Sequence, residues 1–223
     1  MTRTCLFASL PLAILAAMTN AVPAQDTLSP TEAEILPRVI DSICADLVED
    51  DNGCQQVMLL ASASTPDRAD LIILGDWRTD PPSEPMLVAR SAVFNGHMWG
   101  MAPSLAVTEA GSLQLTSEQT GIGRFPWYQT LTIAYRDGRF VLAGFTYSTY
   151  DRAAGGGMTC DVNLLTGEYA VEATRVLAET EQEVLVLSDV GEIEPLDVDA
   201  AGIGTNAPFP APCEAGIAAL DAF

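Results

Sequence analysis

The chain has 223 residues, is 48% hydrophobic and 18% charged, and sets 30 acids against ten cations, all of them arginine, for a formal net charge of -20. The absence of lysine excludes Schiff-base, P-loop and kinase-type chemistry, and a single histidine, His97, excludes His-pair metal motifs and leaves one imidazole for any catalytic triad. So negative a chain repels a phosphate backbone or an anionic lipid surface, which excludes nucleic acid as a partner.

Residues 1–24 have the three-part layout of an export signal. Arg3 gives the positive start, Leu6 to Met18 is apolar apart from Ser9 and Pro11, and Val22-Pro23-Ala24 supplies small residues before Gln25. The apolar run is shorter than the ~18 residues a membrane span needs. Cleavage after Ala24 is therefore expected, giving a periplasmic or secreted chain with no transmembrane segment and nine arginines against 30 acids.

Cys5 leaves with the signal, and Cys44, Cys54, Cys160 and Cys213 remain. An even number of cysteines in an oxidising compartment favours two disulfides. Of the three pairings, Cys44 with Cys54 across an Asp/Asn/Gly turn and Cys160 with Cys213 tying down the tail are the expected ones. No spacing is Cys-x-x-Cys, so the chain offers no zinc motif.

Residues 29–49 read as the one good helix. Ser29 or Thr31 caps it, Pro30 takes a first-turn place, and Ile35, Val39, Ile43 and Leu47 recur at helical spacing. Pro37 objects, and either kinks the helix or delays its start. Strand patterns follow at Val57 to Ala61, Asp70 to Leu74, Met86 to Phe94, Leu105 to Thr108 and Leu113 to Thr116. Three turn dipeptides then predict hairpins. Asn95-Gly96 lies between Met86–Phe94 and His97–Met101, Asp137-Gly138 between Trp127–Arg136 and Arg139–Thr149, and Thr166-Gly167 between Asp161–Leu165 and Glu168–Ala173.

A two-residue turn at Asp137-Gly138 pairs Arg136 with Arg139, Tyr135 with Phe140 and Ile133 with Leu142. Continued without interruption, the register sets Leu131 against Gly144, Tyr128 against Tyr147 and Trp127 against Ser148. Both faces of this pair are apolar near the middle, which places it inside a sandwich or barrel. Further strands are expected at Glu183 to Ser188 and, more briefly, near Ile193 to Leu196. From Asp161 onward, 13 acids face Arg175 alone. The expected fold is mainly β, an antiparallel sandwich or partly closed barrel built from hairpins with one short N-terminal helix. Residues 25–173 form its core, and residues 174–223 form an acidic C-terminal extension with one or two strands packed on it.

The stretch Leu131 to Gly144, with its Tyr135-Arg136-Asp137-Gly138-Arg139-Phe140 turn, followed by Cys160-Asp161-Val162-Asn163-Leu164-Leu165-Thr166-Gly167, resembles a loose group of exported bacterial proteins distantly like FG-GAP or VCBS repeats. Phe94-Asn95-Gly96, Gly121-Ile122-Gly123-Arg124 and Trp127 fit the same group. The resemblance covers roughly residues 45–170. It implies export and a β-rich fold and brings no catalytic residues. In the calcium-binding members an acidic loop enters a strand. Here that loop is Asp50-Asp51-Asn52-Gly53, and Cys54 and Gln56 stand where acidic ligands are wanted. A turn pinned by a disulfide is the plainer reading of it.

His97 has no Gly-x-Ser-x-Gly elbow to serve and reads as a polar residue flanking a turn. With 30 acids present, no glycosidase-type carboxylate pair stands out. No catalytic, cofactor or metal residues are therefore named. Trp77, Trp99, Trp127, Tyr128, Tyr147 and Tyr150 either pack the core or form a stacking strip. Arg124, Arg136, Arg139 and Arg152 gather round the central hairpin, where Arg136 and Arg139 oppose each other unless an acid or an anion relieves them. The candidate ligand surface is Arg124, Trp127, Tyr128, Arg136, Arg139 and Tyr147. Its expected occupant is a protein, or a small anionic or glycan ligand. The expected function is that of an exported, non-enzymatic binding or envelope-associated accessory domain needing no cofactor. A carboxylate-based periplasmic hydrolase and a calcium-stabilised module are the alternatives.

Overall fold

A computed structural model describes residues 28–48, 53–76, 85–96, 100–206 and 209–221. The segment Pro30–Ile35 (α1) is helical because its start is well made. Ser29 Oγ accepts the Glu32 N–H at 3.3 Å while Glu32 Oε2 accepts the Ser29 N–H at 2.7 Å, and Pro30 sits in the first turn. The helix does not continue to residue 49 as its spacing suggested. Pro37 lies in a 3-10 turn at Leu36–Arg38, and Val39–Ala45 is strand β1. The four-residue spacing of Ile35, Val39 and Ile43 suits a helical face, but four is also a multiple of two. β-Branched Val39, Ile40 and Ile43 satisfy a strand equally well once proline has ended the helix.

Ten more strands follow: Gln55–Ala61 (β2), Arg68–Asp76 (β3), Pro85–Phe94 (β4), Ser104–Val107 (β5), Leu113–Gln119 (β6), Trp127–Arg136 (β7), Arg139–Tyr150 (β8), Gly156–Asn163 (β9), Glu168–Val176 (β10) and Glu183–Glu192 (β11). Every pairing is antiparallel. The strands form a four-stranded sheet in the order β1-β2-β3-β4 and a seven-stranded sheet in the order β11-β10-β9-β8-β7-β6-β5. The protein is thus mainly β, two sheets stacked as a sandwich without closing into a barrel.

One apolar core joins the sheets. Val57, Leu59, Leu71 and Ile73 from the smaller sheet meet Leu113, Leu115, Leu131, Ile133, Leu142 and Phe145 from the larger, all of them buried. Beyond the reach of the smaller sheet, helix Ala211–Asp221 (α3) covers β9 and β10. This helix departs from the expected acidic extension of one or two strands, because its run of Ala, Gly and Pro shows no helical periodicity. Cys213 on α3 is bonded to Cys160 on β9, and Cys44 on β1 to Cys54 just before β2, with Cα separations of 5.3 and 5.4 Å. These are the two pairings expected from sequence. A short helix, Ile203–Asn206 (α2), rests on β4, which bulges opposite Asp70. There buried Asp70 accepts the Ser91 N–H at 2.9 Å and a hydrogen bond from Arg90 at 2.8 Å. Burial pushes the Asp70 carboxyl upward, but the Ser91 N–H and the Arg90 guanidinium outweigh it and hold the group below its ordinary value.

The central hairpin follows the expected register only near its turn. Asp137 and Gly138 both have positive φ, 51° and 82°, as a two-residue turn matched to strand twist requires. Arg136 pairs with Arg139, Tyr135 with Phe140 and Ile133 with Leu142, and then a bulge intervenes. Ala143 is skipped, so Thr132 pairs with Gly144, Leu131 with Phe145, Tyr128 with Ser148 and Trp127 with Thr149. The expected Tyr128–Tyr147, Trp127–Ser148 and Leu131–Gly144 pairs are each displaced by one residue, and one residue of slip exchanges the faces. The turn after β9 also differs. Leu164 leaves the strand to be buried, and Asn163 Oδ1 accepts the N–H groups of Leu165 and Thr166, making a wider turn than Thr166-Gly167 alone. Ile193 to Leu196 is not a strand. It folds back so that the Ile193 and Leu196 N–H groups bond the carbonyls of Gly167 and Leu164, and the chain reaches β8 where Leu142 N–H donates to Val198 O at 2.9 Å.

Candidate functional site

The bulge in β8 divides the residues that the sequence grouped as one ligand surface. Trp127 and Tyr147 turn inward. Trp127 packs edge-on to Phe94 and stacks with Tyr147, whose ring meets Phe209 at 5.1 Å between centroids. Burial raises the Tyr147 hydroxyl above its ordinary pKa. Tyr128 alone of the three aromatics faces out, 42% exposed.

The arginines have structural partners. Arg124 grips buried Asp151 with two hydrogen bonds, Nε at 2.8 Å and Nη2 at 2.5 Å, and its guanidinium lies 5.0 Å over the Phe125 ring. The Asp151 carboxyl is held well below the usual carboxylate range, first by Arg124 and then by the N–H groups of Ala153 and Ala154, which outweigh burial. Arg152 donates to the carbonyls of Thr120 and Gly123. Arg124 and Arg152 therefore latch the loop before β7 to the turn after β8. Arg139 donates to Asp197 at 2.5 Å and lies 3.8 Å from Asp199, which relieves the facing Arg136. Arg136 donates to the carbonyl of Tyr135 and stays exposed at the hairpin tip. His97, Trp77, Trp99 and the Asp50-Asp51-Asn52 part of the acidic loop lie outside the described residues, as does the expected signal, residues 1–24.

The outward face of the seven-stranded sheet is a different kind of surface. Register fixes its rows. One runs Thr116, Thr130, Thr146, Asp161, Ala170 across β6 to β10, and the next runs Glu118, Tyr128, Ser148, Thr159, Glu172. No described helix or strand lies over them, and Tyr128, Thr146, Thr159, Asp161 and Glu172 are exposed. Threonine suits this position, since its β-branch favours a strand while its hydroxyl favours water.

At one end of this face the rows sink into a shallow trough of about 400 Å³, bounded by Tyr128, Tyr150, Thr159, Glu172, Thr174 and Glu183. Its floor is low because Gly156 and Gly157 carry no side chain. Gly156 has φ 83°, and a Cβ there would strike the Thr174 carbonyl. Tyr128 pairs with Ser148, and Tyr150 stands two residues further along β8, 40% exposed. That is the diagonal position, with strand geometry setting the backbones roughly 7–8 Å apart. Thr174 Oγ1 accepts the Gly157 N–H at 3.3 Å and donates to Glu183 Oε1 at 2.6 Å, which holds that carboxylate at the rim. A second depression, of about 340 Å³, continues the face towards the hairpin tip between Gln114, Thr132, Thr146, Asp161, Asn163 and Arg136.

Sequence reasoning reached Tyr128, and named Tyr150 among the aromatics, but missed Glu172, Thr174 and Glu183, which come together only through the β9-β10-β11 order. The signal for the bulge is present in the sequence. The large inward side chains are even-numbered at Phe140 and Leu142 and odd-numbered at Phe145 and half-buried Tyr147, so the phase changes at Ala143-Gly144. Among the described residues no group of three or more His, Cys, Asp or Glu is placed to hold a metal ion, and no helix is long and apolar enough to cross a membrane. No protein-family model, curated protein or solved structure matches the chain.

Proposed function

We propose that the protein is an exported, non-enzymatic binding domain that takes an oligosaccharide on the outward face of its seven-stranded sheet, with Tyr128 and Tyr150 as stacking planes. The observation that carries this reading is the trough itself. Two half-exposed tyrosines stand on diagonal positions beside hydroxyls and carboxylates, on a face with no described element covering it. A sugar ring offers apolar C–H faces that suit a tyrosine ring and hydroxyls that donate to carboxylates such as Glu172 and Glu183. The trough contains no arginine, and two carboxylates stand at its rim, so a neutral or amino-bearing glycan suits it better than the anionic ligand that the arginines suggested. The second depression adds the amide of Gln114, whose paired donor and acceptor match vicinal hydroxyls, and the side-chain NH2 of Asn163 as a further donor. Two disulfides accord with life in an oxidising compartment and so with export.

Affinity electrophoresis of residues 25–223 through gels containing a neutral, an amino or a uronic polysaccharide tests the reading. Retardation by a neutral or amino polymer is expected, with Tyr128→Ala and Tyr150→Ala each weakening it at least tenfold. Migration unchanged by every polymer would overturn the proposal, and so would retardation that both variants keep. Turnover above background on glycoside, ester, peptide or phosphate substrates would overturn the non-enzymatic part.

A further inference from the structure

Among the described strands the sandwich has four sheet edges, and three are short, bulged or in contact with another element. β1 and β5 meet at one corner, where Asp41 Oδ2 accepts the Leu105 N–H at 2.8 Å and so satisfies a donor of the four-residue strand β5. β4 bulges opposite Asp70 and carries α2, whose Gly204 lies directly against the carbonyls of Arg90 and Ser91. The fourth edge is β11. It is ten residues long, it ends the seven-stranded sheet, and no described strand pairs with its far side. Its outward side chains include Leu185, 59% exposed, and Val190, 75% exposed.

An open edge is a template for another strand, and natural edges are guarded against copies of themselves by charge and by bulges. β11 has both guards. Val186 is skipped in the pairing with β10, and Glu183, Asp189 and Glu192 lie along the strand, with Glu179 and Glu181 in the turn before it and Glu194 just after. A second copy would bring acid against acid, and like charges in facing positions destabilise a strand pair. The same acids attract a strand of opposite charge.

We propose that β11 is a docking edge for an extended, arginine- or lysine-bearing segment of a partner protein, which adds antiparallel as the next strand of the sheet. Main-chain hydrogen bonds along β11 would supply affinity. Leu185 and Val190 would offer apolar contacts to alternate side chains, and the flanking carboxylates would select cations and set the register. The tyrosine trough is a separate feature, sharing only Glu183 with this edge.

The test uses the whole chain from residue 25 and three synthetic octapeptides: alternating Arg and Val, the same peptide with every backbone amide N-methylated, and alternating Glu and Val. The Arg-Val peptide is expected to bind and to slow hydrogen exchange of β11 amides at least tenfold. The methylated peptide, equal in charge but unable to pair, and the Glu-Val peptide are expected not to. Leu185→Arg/Val190→Arg, two changes at exposed positions, should weaken binding of the Arg-Val peptide at least tenfold, while Tyr128→Ala should leave it unchanged. The proposal is overturned by equal binding of the methylated peptide, by protection elsewhere than β11, by no binding, or by dimerisation of the chain through β11 without peptide.

Discussion

The two faces of the seven-stranded sheet are made by the same strands in the same register, yet they obey different rules. On the inner face Leu131, Ile133, Leu142, Phe145 and Val162 are at most 2% exposed, and all belong to one core. On the outer face the alternating positions carry Thr130, Thr132, Thr146, Thr159 and Asp161. The inner residues are dictated by packing. The outer ones satisfy strand propensity without requiring a neighbour, which leaves that face unconstrained by packing.

Substitutions can break or sharpen this contrast. Phe145→Ala removes a fully buried ring that also meets Phe209 at 5.4 Å, and a loss of about 3–5 kcal/mol in urea unfolding is expected. A loss under about 1 kcal/mol would mean the inner face is loosely packed, contrary to the contrast. Replacing Cys160 and Cys213 together by alanine frees a closure of 53 residues and should cost about 4 kcal/mol on loop entropy alone. The same double change at Cys44 and Cys54, which close ten residues, should cost about 2.7 kcal/mol. Reversal of that order in urea unfolding would show that loop closure does not set the cost of losing these bonds.

A third effect depends on pH. Asp70 and Asp151 have folded pKa values below the ordinary carboxylate value of about 3.9, so on acidification the unfolded chain takes up their protons first. Their contribution is full above roughly pH 5 and drains as the pH falls through about 4 towards the lower folded values. In Asp151→Asn the chemical unfolding midpoint should therefore fall less between pH 6 and pH 3 than in the parent. An equal fall would detach the Arg124 latch from acid stability. The smallest effects belong to the outer face. Thr130→Val and Thr146→Val should change stability by no more than about 0.5 kcal/mol, and a larger loss in unfolding measurements would erase the distinction between the faces.

The fold was legible where local chemistry is unambiguous. Asp137-Gly138 permits few turns, and the β-prone runs on either side of it mark two paired strands, whose apolar middles place them inside a sandwich without telling inner face from outer. The misread elements are those where two periods coincide or none shows. Ile35, Val39 and Ile43 fit both a helix and a strand, and only Pro37 separates the two. Ala211–Asp221 is apolar on nearly every side, with Gly216 buried against Met158 and Val171, so it shows no stripe that would mark a surface helix. The site was half legible. Tyr128 is visible as an aromatic on a strand, but its separation from Tyr147 depends on one skipped residue, and its companionship with Glu172 and Glu183 depends on which strands become neighbours.

The bond between Cys160 and Cys213 also has a consequence in time. A chain emerging amino end first, from a ribosome or through a membrane, presents β9 and β10 well before the helix that covers them. Until residue 213 arrives, Cys160 is a thiol with no native mate and the adjoining Met158 and Val171 have no lid. Completion of the fold therefore waits on α3, where one closure both covers β9 and β10 and fixes the helix that covers them.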